Sequence, residues 1–163
     1  MIKLTRIDDR FVHGQVSFTW VPSLEINCLV VANDKIAADE FQKMAFNLAK
    51  PPAAKLLIFT INEAIAFLND PKSKNAKIMI LVNSVGDAFR LTQEVREIQS
   101  VNFGGIRMKP GAKLITKAVA VDDNDISIIK LLLESCIELE VRQVPGDKKQ
   151  LMANLLQLQA DQI

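Results

Sequence analysis

The chain has 163 residues, with 20 basic and 19 acidic side chains, a net charge of +1 and 49% hydrophobic residues. This composition excludes a disordered chain, and the balanced charge gives no support for a nucleic-acid partner. Cys28 and Cys136 lie in apolar segments, which predicts two buried thiols. The charged N-terminus does not fit a signal peptide, and no apolar run approaches the ~18 residues of a membrane span. We therefore expect a single domain over residues 1–163, in a soluble cytoplasmic protein.

Strand and helix patterns alternate through the first half of the chain. Apolar runs predict strands at residues 2–7, 27–32, 54–59 and 77–82. The predicted helices between them begin near Gln15, at Asn33-Asp34 and at Thr60. In the second of these helices, the apolar residues Ala37, Phe41, Met44, Ala45 and Leu48 recur at helical spacing. In the third, Thr60 and Glu63 have the spacing of a capping box.

The second half continues the alternation. Further strands are predicted at residues 101–106, 118–121 and 138–142, and the last alternates like a half-exposed edge strand. The predicted helices begin at Asn83-Ser84, at Asn124 or Asp125, and at Asp147. Cys136 falls at the end of the second of these, and Leu151, Leu155 and Leu158 should line the inner face of the last.

This pattern predicts an α/β fold: an open, mostly parallel twisted sheet of about seven strands with helices on both faces. Ligands of such sheets bind outside the carboxyl ends of the strands. His13, Asn33-Asp34 and Asn83-Ser84 each follow a predicted strand, so we expect them at that edge.

The only histidine of the chain, His13, lies between the first strand and the first helix. The helix N-terminus favours an anion there, because its first N–H groups have no intrahelical acceptor. A neutral imidazole is also a nucleophile that can carry a covalent group. If that group is phosphoryl, Arg10 is positioned to bind its oxygens in a bidentate way. A surface or core histidine without a function is the simpler alternative.

Two other site types find little support near His13. A transition-metal site would need more ligands than one histidine with Asp8 and Asp9, so no metal is expected. Paired carboxylates also suggest glycoside hydrolysis, but adjacent residues of an extended segment point to opposite faces. Dinucleotide-binding and nucleophile-elbow motifs are absent.

Glycines and lysines cluster between residues 104 and 113. The spacing does not match a phosphate-binding loop, so Gly104-Gly105 and Lys109-Pro110-Gly111 are interpreted as two turns with unusual backbone angles. Arg107 and Lys109 could instead form a positive rim for docking. Trp20, on the first helix, is interpreted as a core anchor.

Several of these segments together resemble a known family. They are the run from Arg6 to Val16 with Trp20 after it, the segment from Asn102 to Arg107, Lys117-Ala118-Val119, and Asp122-Asp123. From residue 2 to about 160 the chain resembles the IIB component of the mannose/fructose/sorbose class of the sugar phosphotransferase system. Phe11-Val12 stands where Leu-Ile is common in that family, and both pairs are apolar.

The resemblance implies a protein-Nπ-phosphohistidine–sugar phosphotransferase that needs no cofactor. His13 would accept a phosphoryl group on Nδ1 from an EIIA partner, as a pros-phosphohistidine, and pass it to a sugar bound by the membrane components EIIC and EIID. Arg10 would assist, and we expect the backbone N–H groups of Gly14 and Gln15 to complete the phosphate site. Asp9 is assigned to that site as the residue that orients Arg10. The protein would associate with the membrane only through its partners.

One alternative stays open: a non-catalytic regulator of the same fold, in which His13 reports phosphorylation without passing the group on. The sequence does not identify the sugar, the oligomeric state, or the roles of Asp8 and the Gly104–Lys113 segment.

Overall fold

A computed structural model describes the backbone of residues 1–161 and the side chains of residues 1–157. The strands of this part are β1 Ile2–Asp8, β2 Cys28–Ala32, β3 Lys55–Phe59, β4 Ile78–Val82, β5 Ser100–Gly105, β6 Lys113–Thr116, β7 Val119–Val121, β8 Glu138–Val141 and β9 Gln150–Leu151. Seven of them form one sheet in the order β3-β2-β4-β1-β5-β8-β9, and β6 pairs with β7 in a separate hairpin. All neighbours in the large sheet are parallel except β8 and β9.

Helices cover both faces of the sheet. The α-helices are α1 Val21–Ser23, α2 Asp34–Ala37, α3 Glu40–Ala49, α4 Ile61–Asn69, α5 Val85–Glu94, α6 Asp123–Glu134 and α7 Met152–Asp161. A π-helical turn, Val16–Trp20, leads into α1, and a 3₁₀ helix, Pro71–Asn75, follows α4. One hydrophobic cluster joins the sheet to α4, α5, α6 and α7, and a second lies on the other face with Trp20 and Val21. The predicted α/β sheet with helices on both faces is confirmed.

The helix predicted after Asn33-Asp34 is divided into two helices, α2 and α3. Asn33 caps α2 and Asp39 caps α3. Phe41, Met44 and Leu48 are exposed, although they share one helical stripe. Helical spacing defines an apolar stripe, but it does not supply a neighbouring element to cover it.

The C-terminal strand and helix differ from prediction in three respects. The strand Glu138–Val141 is no half-exposed edge, because β9 pairs along it and Leu139 and Glu140 are buried. Asp147 does not cap α7; its carboxylate accepts hydrogen bonds from the N–H groups of Gln143 and Val144. The last helix therefore begins five residues later, at Met152. Leu151 is exposed rather than inward-facing, and the side chain of Leu158 lies outside the described residues.

Both ends of α6 also differ from prediction. Asp122 caps this helix and forms a capping box with Asp125, so neither Asn124 nor Asp125 is the cap. Cys136 lies beyond the helix in a left-handed conformation, with φ of 62°, and its side chain is exposed. Cys28 is buried in β2, as predicted. None of the helices in the described backbone is long and apolar enough to cross a membrane.

Candidate functional site

The loop that follows β1 is held in an uncommon conformation at the carboxyl edge of the sheet. Phe11 has a positive φ of 55°, and its N–H donates to the carbonyl of Asp8 at 3.0 Å. Its ring is buried and packs edge-on against Phe46, with 5.7 Å between ring centroids. A positive φ is costly for a bulky residue and persists only where surrounding packing enforces it. Phe11 therefore anchors the loop and directs the chain toward His13.

His13 lies immediately before the helical segment that begins at Gly14. Its carbonyl accepts the N–H of Ser17 at 2.9 Å, and Gly14 and Gln15 already have helical backbone geometry. The N–H groups of Gly14, Gln15 and Val16 thus belong to the first turn, where no intrahelical acceptor exists. The imidazole is 16% exposed. The histidine combines partial access to solvent with the donor-rich end of a helix, as predicted.

One ring nitrogen of His13 is already occupied. Nε2 lies 2.8 Å from Oδ2 of Asp8, whose side chain is completely buried. When the ring is neutral, Nε2 must carry the proton to donate to this carboxylate, and the lone pair then resides on Nδ1. In the neutral ring, this contact leaves Nδ1 as the nitrogen with a free lone pair.

Asp8 is the centre of the site. Its carboxylate accepts hydrogen bonds from Arg6 Nη2 at 3.0 Å and from Arg10 Nε at 3.2 Å, in addition to the His13 contact. Burial by itself would raise the pKa of Asp8, but the hydrogen bond with His13 and the charge of Arg6 outweigh it and lower the pKa to about 2. Asp8 is therefore a fixed anion at neutral pH.

Arg10 is the cation of the site that remains accessible. Its Nη2 donates to the side-chain oxygen of Gln15 at 3.1 Å, while Nε is held by Asp8. The side chain is 44% exposed, and Nη1 makes no hydrogen bond within the described residues. Arg10 is oriented on one side and free to bind an anion on the other.

Arg6 is the cation that is not accessible. It is completely buried, and it donates to Asp8, to the side chain of Asn102, and to the carbonyls of Arg142 and Gln143. Burial lowers the pKa of this guanidinium, and the charge of Asp8 opposes that effect. Every direction of its fork is used inside the protein, so Arg6 stabilises Asp8 and cannot bind a reactant.

Gly104 provides the space for Arg6. A Cβ atom on Gly104 would lie 2.0 Å from Cζ of Arg6. Gly104 and Gly105 belong to β5, and neither has a positive φ. Their interpretation as a turn is wrong: at Gly104 the missing side chain is needed for close approach. In the following segment, Gly111 does have a positive φ of 84°.

Trp20 lies between two guanidinium groups. Cζ of Arg6 is 5.3 Å and Cζ of Arg142 is 5.2 Å from the ring centroid, and the indole N–H donates to the carbonyl of Gln143 at 2.9 Å. Trp20 is buried, as predicted for a core anchor, and it also contributes cation–π contacts that hold Arg6 in place.

Asp9 is placed differently from the prediction. Its carboxylate accepts the backbone N–H of Arg107 at 2.8 Å and the Nε of Arg107 at 3.1 Å. The residue that orients Arg10 is Asp8, because adjacent residues at a strand end face opposite sides. Asp9 therefore ties the loop to the segment after β5.

Arg6 and Asn102 were not predicted as parts of the site, and the sequence did not show which of Asp8 and Asp9 orients Arg10 and His13, a task that falls to Asp8. The sequence did contain a signal for the contact between Arg6 and Asp8, since residues two positions apart in a strand lie on the same face. No cluster of three metal-ligating side chains occurs among the described residues. Two guanidinium groups already neutralise the carboxylate of Asp8, which does not suit a cation site.

Comparisons with known proteins identify the family. The model of the "PTS system sorbose subfamily IIB component" matches residues 2–163. The mannose-specific EIIAB component of Escherichia coli K12 is 35% identical over 156 residues, which cover 96% of this chain and 48% of that protein. The fructose-specific EIIB component of Bacillus subtilis is 30% identical, with 95% of both chains covered.

A solved structure has the same fold. The IIBSor domain of the sorbose permease from Klebsiella pneumoniae superposes with a TM-score of 0.92 and 28% identity, covering 97% of each chain. This chain spans about half the length of the E. coli EIIAB relative. The match along residues 2–163 and the shared fold show that the chain belongs to the sorbose subfamily of IIB components of the phosphotransferase system.

Proposed function

We propose that this chain is a phosphocarrier of a sugar phosphotransferase system. It accepts a phosphoryl group from the phosphohistidine of an EIIA partner on Nδ1 of His13 and transfers it to a sugar presented by EIIC and EIID. The observation that carries the proposal is the 2.8 Å contact between His13 Nε2 and Asp8, because it leaves the lone pair on Nδ1.

In the first step, the lone pair of His13 Nδ1 attacks the phosphorus atom of the donor. The new bond joins Nδ1 to phosphorus, and the bond from phosphorus to the donor histidine breaks with its electron pair leaving on the donor nitrogen. Nε2 keeps its proton, so the phosphorylated ring is formally cationic. The buried carboxylate of Asp8 stabilises this charge through a short charge-assisted hydrogen bond.

The negative charge on the phosphoryl oxygens must also be stabilised by hydrogen-bond donors. We assign this role to Nη1 of Arg10 and to the backbone N–H groups of Gly14 and Gln15. Gln15 has a second role, since its side-chain oxygen holds Nη2 of Arg10. Asp9 is bound to Arg107, so we assign it the task of fixing the position of the loop and not contact with the phosphate.

In the second step, a sugar hydroxyl oxygen attacks the same phosphorus atom. The bond to Nδ1 breaks, the ring recovers its lone pair, and the hydroxyl proton is released to solvent. Related chains are named for mannose, fructose and sorbose, so we propose a sugar of this class, with amino sugars included. The protein then works at the cytoplasmic side of the membrane and binds it through EIIC and EIID.

Transfer of labelled phosphate tests the proposal. Incubation with ³²P-labelled EIIA should give a labelled chain whose phosphate is lost in acid, as expected of a phosphoramidate, and His13→Ala should carry no label. A labelled His13→Ala variant would refute the site. Addition of membranes with EIIC, EIID and sugar should discharge the label to sugar phosphate, and a label that stays on the protein would favour the regulator instead.

A further inference from the structure

Three polar side chains cross the sheet in one row beneath Trp20. In the register of the sheet, Arg6 of β1 lies beside Asn102 of β5, and Asn102 lies beside Glu140 of β8. Neighbouring strands are about 4.8 Å apart, so side chains in register can contact each other directly. Arg6 is 0%, Asn102 1% and Glu140 3% exposed. These three residues, the polar row, therefore form a single buried layer.

This position in the sheet does not require polar residues for packing. The same register continues from Arg6 to Leu81 of β4 and then to Val31 of β2, and both of these apolar side chains are completely buried. Charged groups lose their hydration on burial, and an ion pair recovers that cost only with good geometry and further hydrogen bonds. The hydrogen bonds of the polar row therefore indicate what the row positions.

The amide of Asn102 is oriented by its two neighbours. Its Oδ1 accepts a hydrogen bond from Arg6 Nη1 at 2.8 Å, and its Nδ2 donates to the carboxylate of Glu140 at 3.0 Å. A guanidinium group only donates and a carboxylate only accepts, so no other orientation of the amide satisfies both. Glu140 thus fixes Asn102, and Asn102 in turn fixes Arg6.

A second path leads from Glu140 to the same guanidinium. The carboxylate accepts both Nε and Nη2 of Arg142 at 3.0 Å. Cζ of Arg142 lies 5.2 Å from the ring centroid of Trp20, and Cζ of Arg6 lies 5.3 Å from the same centroid. Cation–π contacts of this kind favour one arrangement of the three groups. Both paths from Glu140 therefore converge on Arg6.

Arg6 extends this order to the reactive ring. Its Nε and Nη2 donate to Asp8 at 3.3 Å and 3.0 Å, and the same carboxylate lies 2.8 Å from His13 Nε2. We propose that Glu140, acting through Asn102 and Arg6, is a positioning residue for phosphoryl transfer at His13. It touches no reactant, and it holds the groups that orient the nucleophile. This inference rests on the proposed function and extends it to β8.

The test begins with Glu140→Gln, which keeps the size of the side chain and removes its charge. Three donors, Asn102 Nδ2 with Nε and Nη2 of Arg142, then compete for one oxygen atom instead of two. We expect the maximal rate of transfer from phosphorylated EIIA to fall about tenfold with KM changed less than about twofold, because the reacting geometry is disturbed and donor binding is not. Phosphoramidate, a small phosphoryl donor, should label His13 more slowly by the same factor.

The Nε2–H proton of His13 provides a readout that needs no phosphoryl donor. A charge-assisted hydrogen bond to a carboxylate shifts such a proton resonance downfield. In Glu140→Gln we expect the resonance to move upfield, because the contact with Asp8 loosens.

Glu138→Gln is the matched control. It removes the same charge from the same strand two residues earlier, where the exposed side chain pairs with Lys149 at 3.2 Å. Because Glu138 is not part of the polar row, we expect the transfer rates and the His13 resonance of wild type.

An exchange of donor and acceptor tests the coupling directly. In Asn102→Asp/Glu140→Gln, the new amide can donate to the new carboxylate, whose other oxygen still accepts from Arg6, and the net charge is that of wild type. We expect this double variant to recover the transfer rate to within about threefold of wild type. Asn102→Asp alone places two carboxylates side by side and should remain at least about tenfold slow.

Wild-type rates and an unmoved resonance in Glu140→Gln would overturn the inference. Slower transfer from EIIA with unchanged labelling by phosphoramidate would also overturn it, because the defect would then lie in donor binding. If Glu140→Gln does not fold, the double variant decides, and its failure to restore both folding and rate counts against the coupling. Failure of both donors to label wild-type His13 refutes the proposed function, whereas the resonance still tests whether Glu140 positions the ring.

Discussion

Two arginines four residues apart bind the same carboxylate and have opposite surroundings. Arg6 is completely buried, and each direction of its guanidinium is used within the protein. Arg10 is 44% exposed and leaves Nη1 without a hydrogen bond among the described residues. The difference shows how one site separates two tasks. The buried cation keeps Asp8 ionised and in place, and the exposed cation is available to a reactant.

The largest expected effect comes from removal of the buried cation. Arg6→Leu leaves the carboxylate of Asp8 buried without its main countercharge, so we expect a loss of about 3–5 kcal/mol in the free energy of unfolding. Arg10→Leu removes an exposed partner and should cost less than about 1 kcal/mol. Urea denaturation of both variants measures the contrast. Equal losses would show that the two arginines do not differ in the way described.

The exposed cation should matter for rate instead. Arg10→Lys keeps the charge but loses the planar fork that matches phosphate, and we expect phosphoryl transfer from EIIA to slow about 10²-fold. The urea midpoint should stay close to that of wild type. A transfer rate within twofold of wild type, in a folded variant, would remove Arg10 from the phosphate site.

The pH dependence of stability reports on Asp8. Its folded-state pKa of about 2 lies below the ordinary value of 3.8, so the unfolded chain takes up a proton first as the pH falls. The stabilisation, about 2 kcal/mol, is complete above pH 4 and is lost as the pH falls toward 2. A ¹³C NMR titration of the aspartate carboxyl groups measures this pKa directly. A value near 4 would mean that the arginines and His13 do not stabilise the anion.

A substitution at Gly104 tests the packing around the buried Arg6, with a smaller expected effect on stability. In Gly104→Ala the new methyl group meets the guanidinium of Arg6, so we expect a loss of about 1–3 kcal/mol. Gly105→Ala is the matched control in the next position, where the nearest atoms lie 3.8 Å from the added Cβ, an ordinary contact distance. Equal stability of the two variants would contradict the role of Gly104 as space for Arg6.

Local sequence signals predicted much of the fold. Apolar runs located the parallel strands, and the capping box of Thr60 and Glu63 located the start of α4. The position of His13 between a strand and a helix was also readable, because both flanking patterns are local. What covers a helix is not local, so the helical spacing of Phe41, Met44 and Leu48 did not show that their stripe on α3 is exposed.

The second half of the site required contacts between strands that are distant in sequence. Arg6 reaches Asn102 because β1 lies beside β5, and Asn102 donates to Glu140 because β8 is next in the sheet. Only strand order and register bring these residues together. Alternation along β1 distinguished the face of Asp8 from that of Asp9, but it could not show which face turns toward His13.

The central claim is that Asp8 holds the proton of His13 on Nε2 and reserves Nδ1 for the phosphoryl group. Long-range ¹H–¹⁵N correlation spectra of the neutral imidazole test it most directly. We expect the Nε2–H tautomer in the free protein and phosphorus bound to Nδ1 after incubation with phosphorylated EIIA. A neutral ring protonated on Nδ1, or phosphorus on Nε2, would contradict the account.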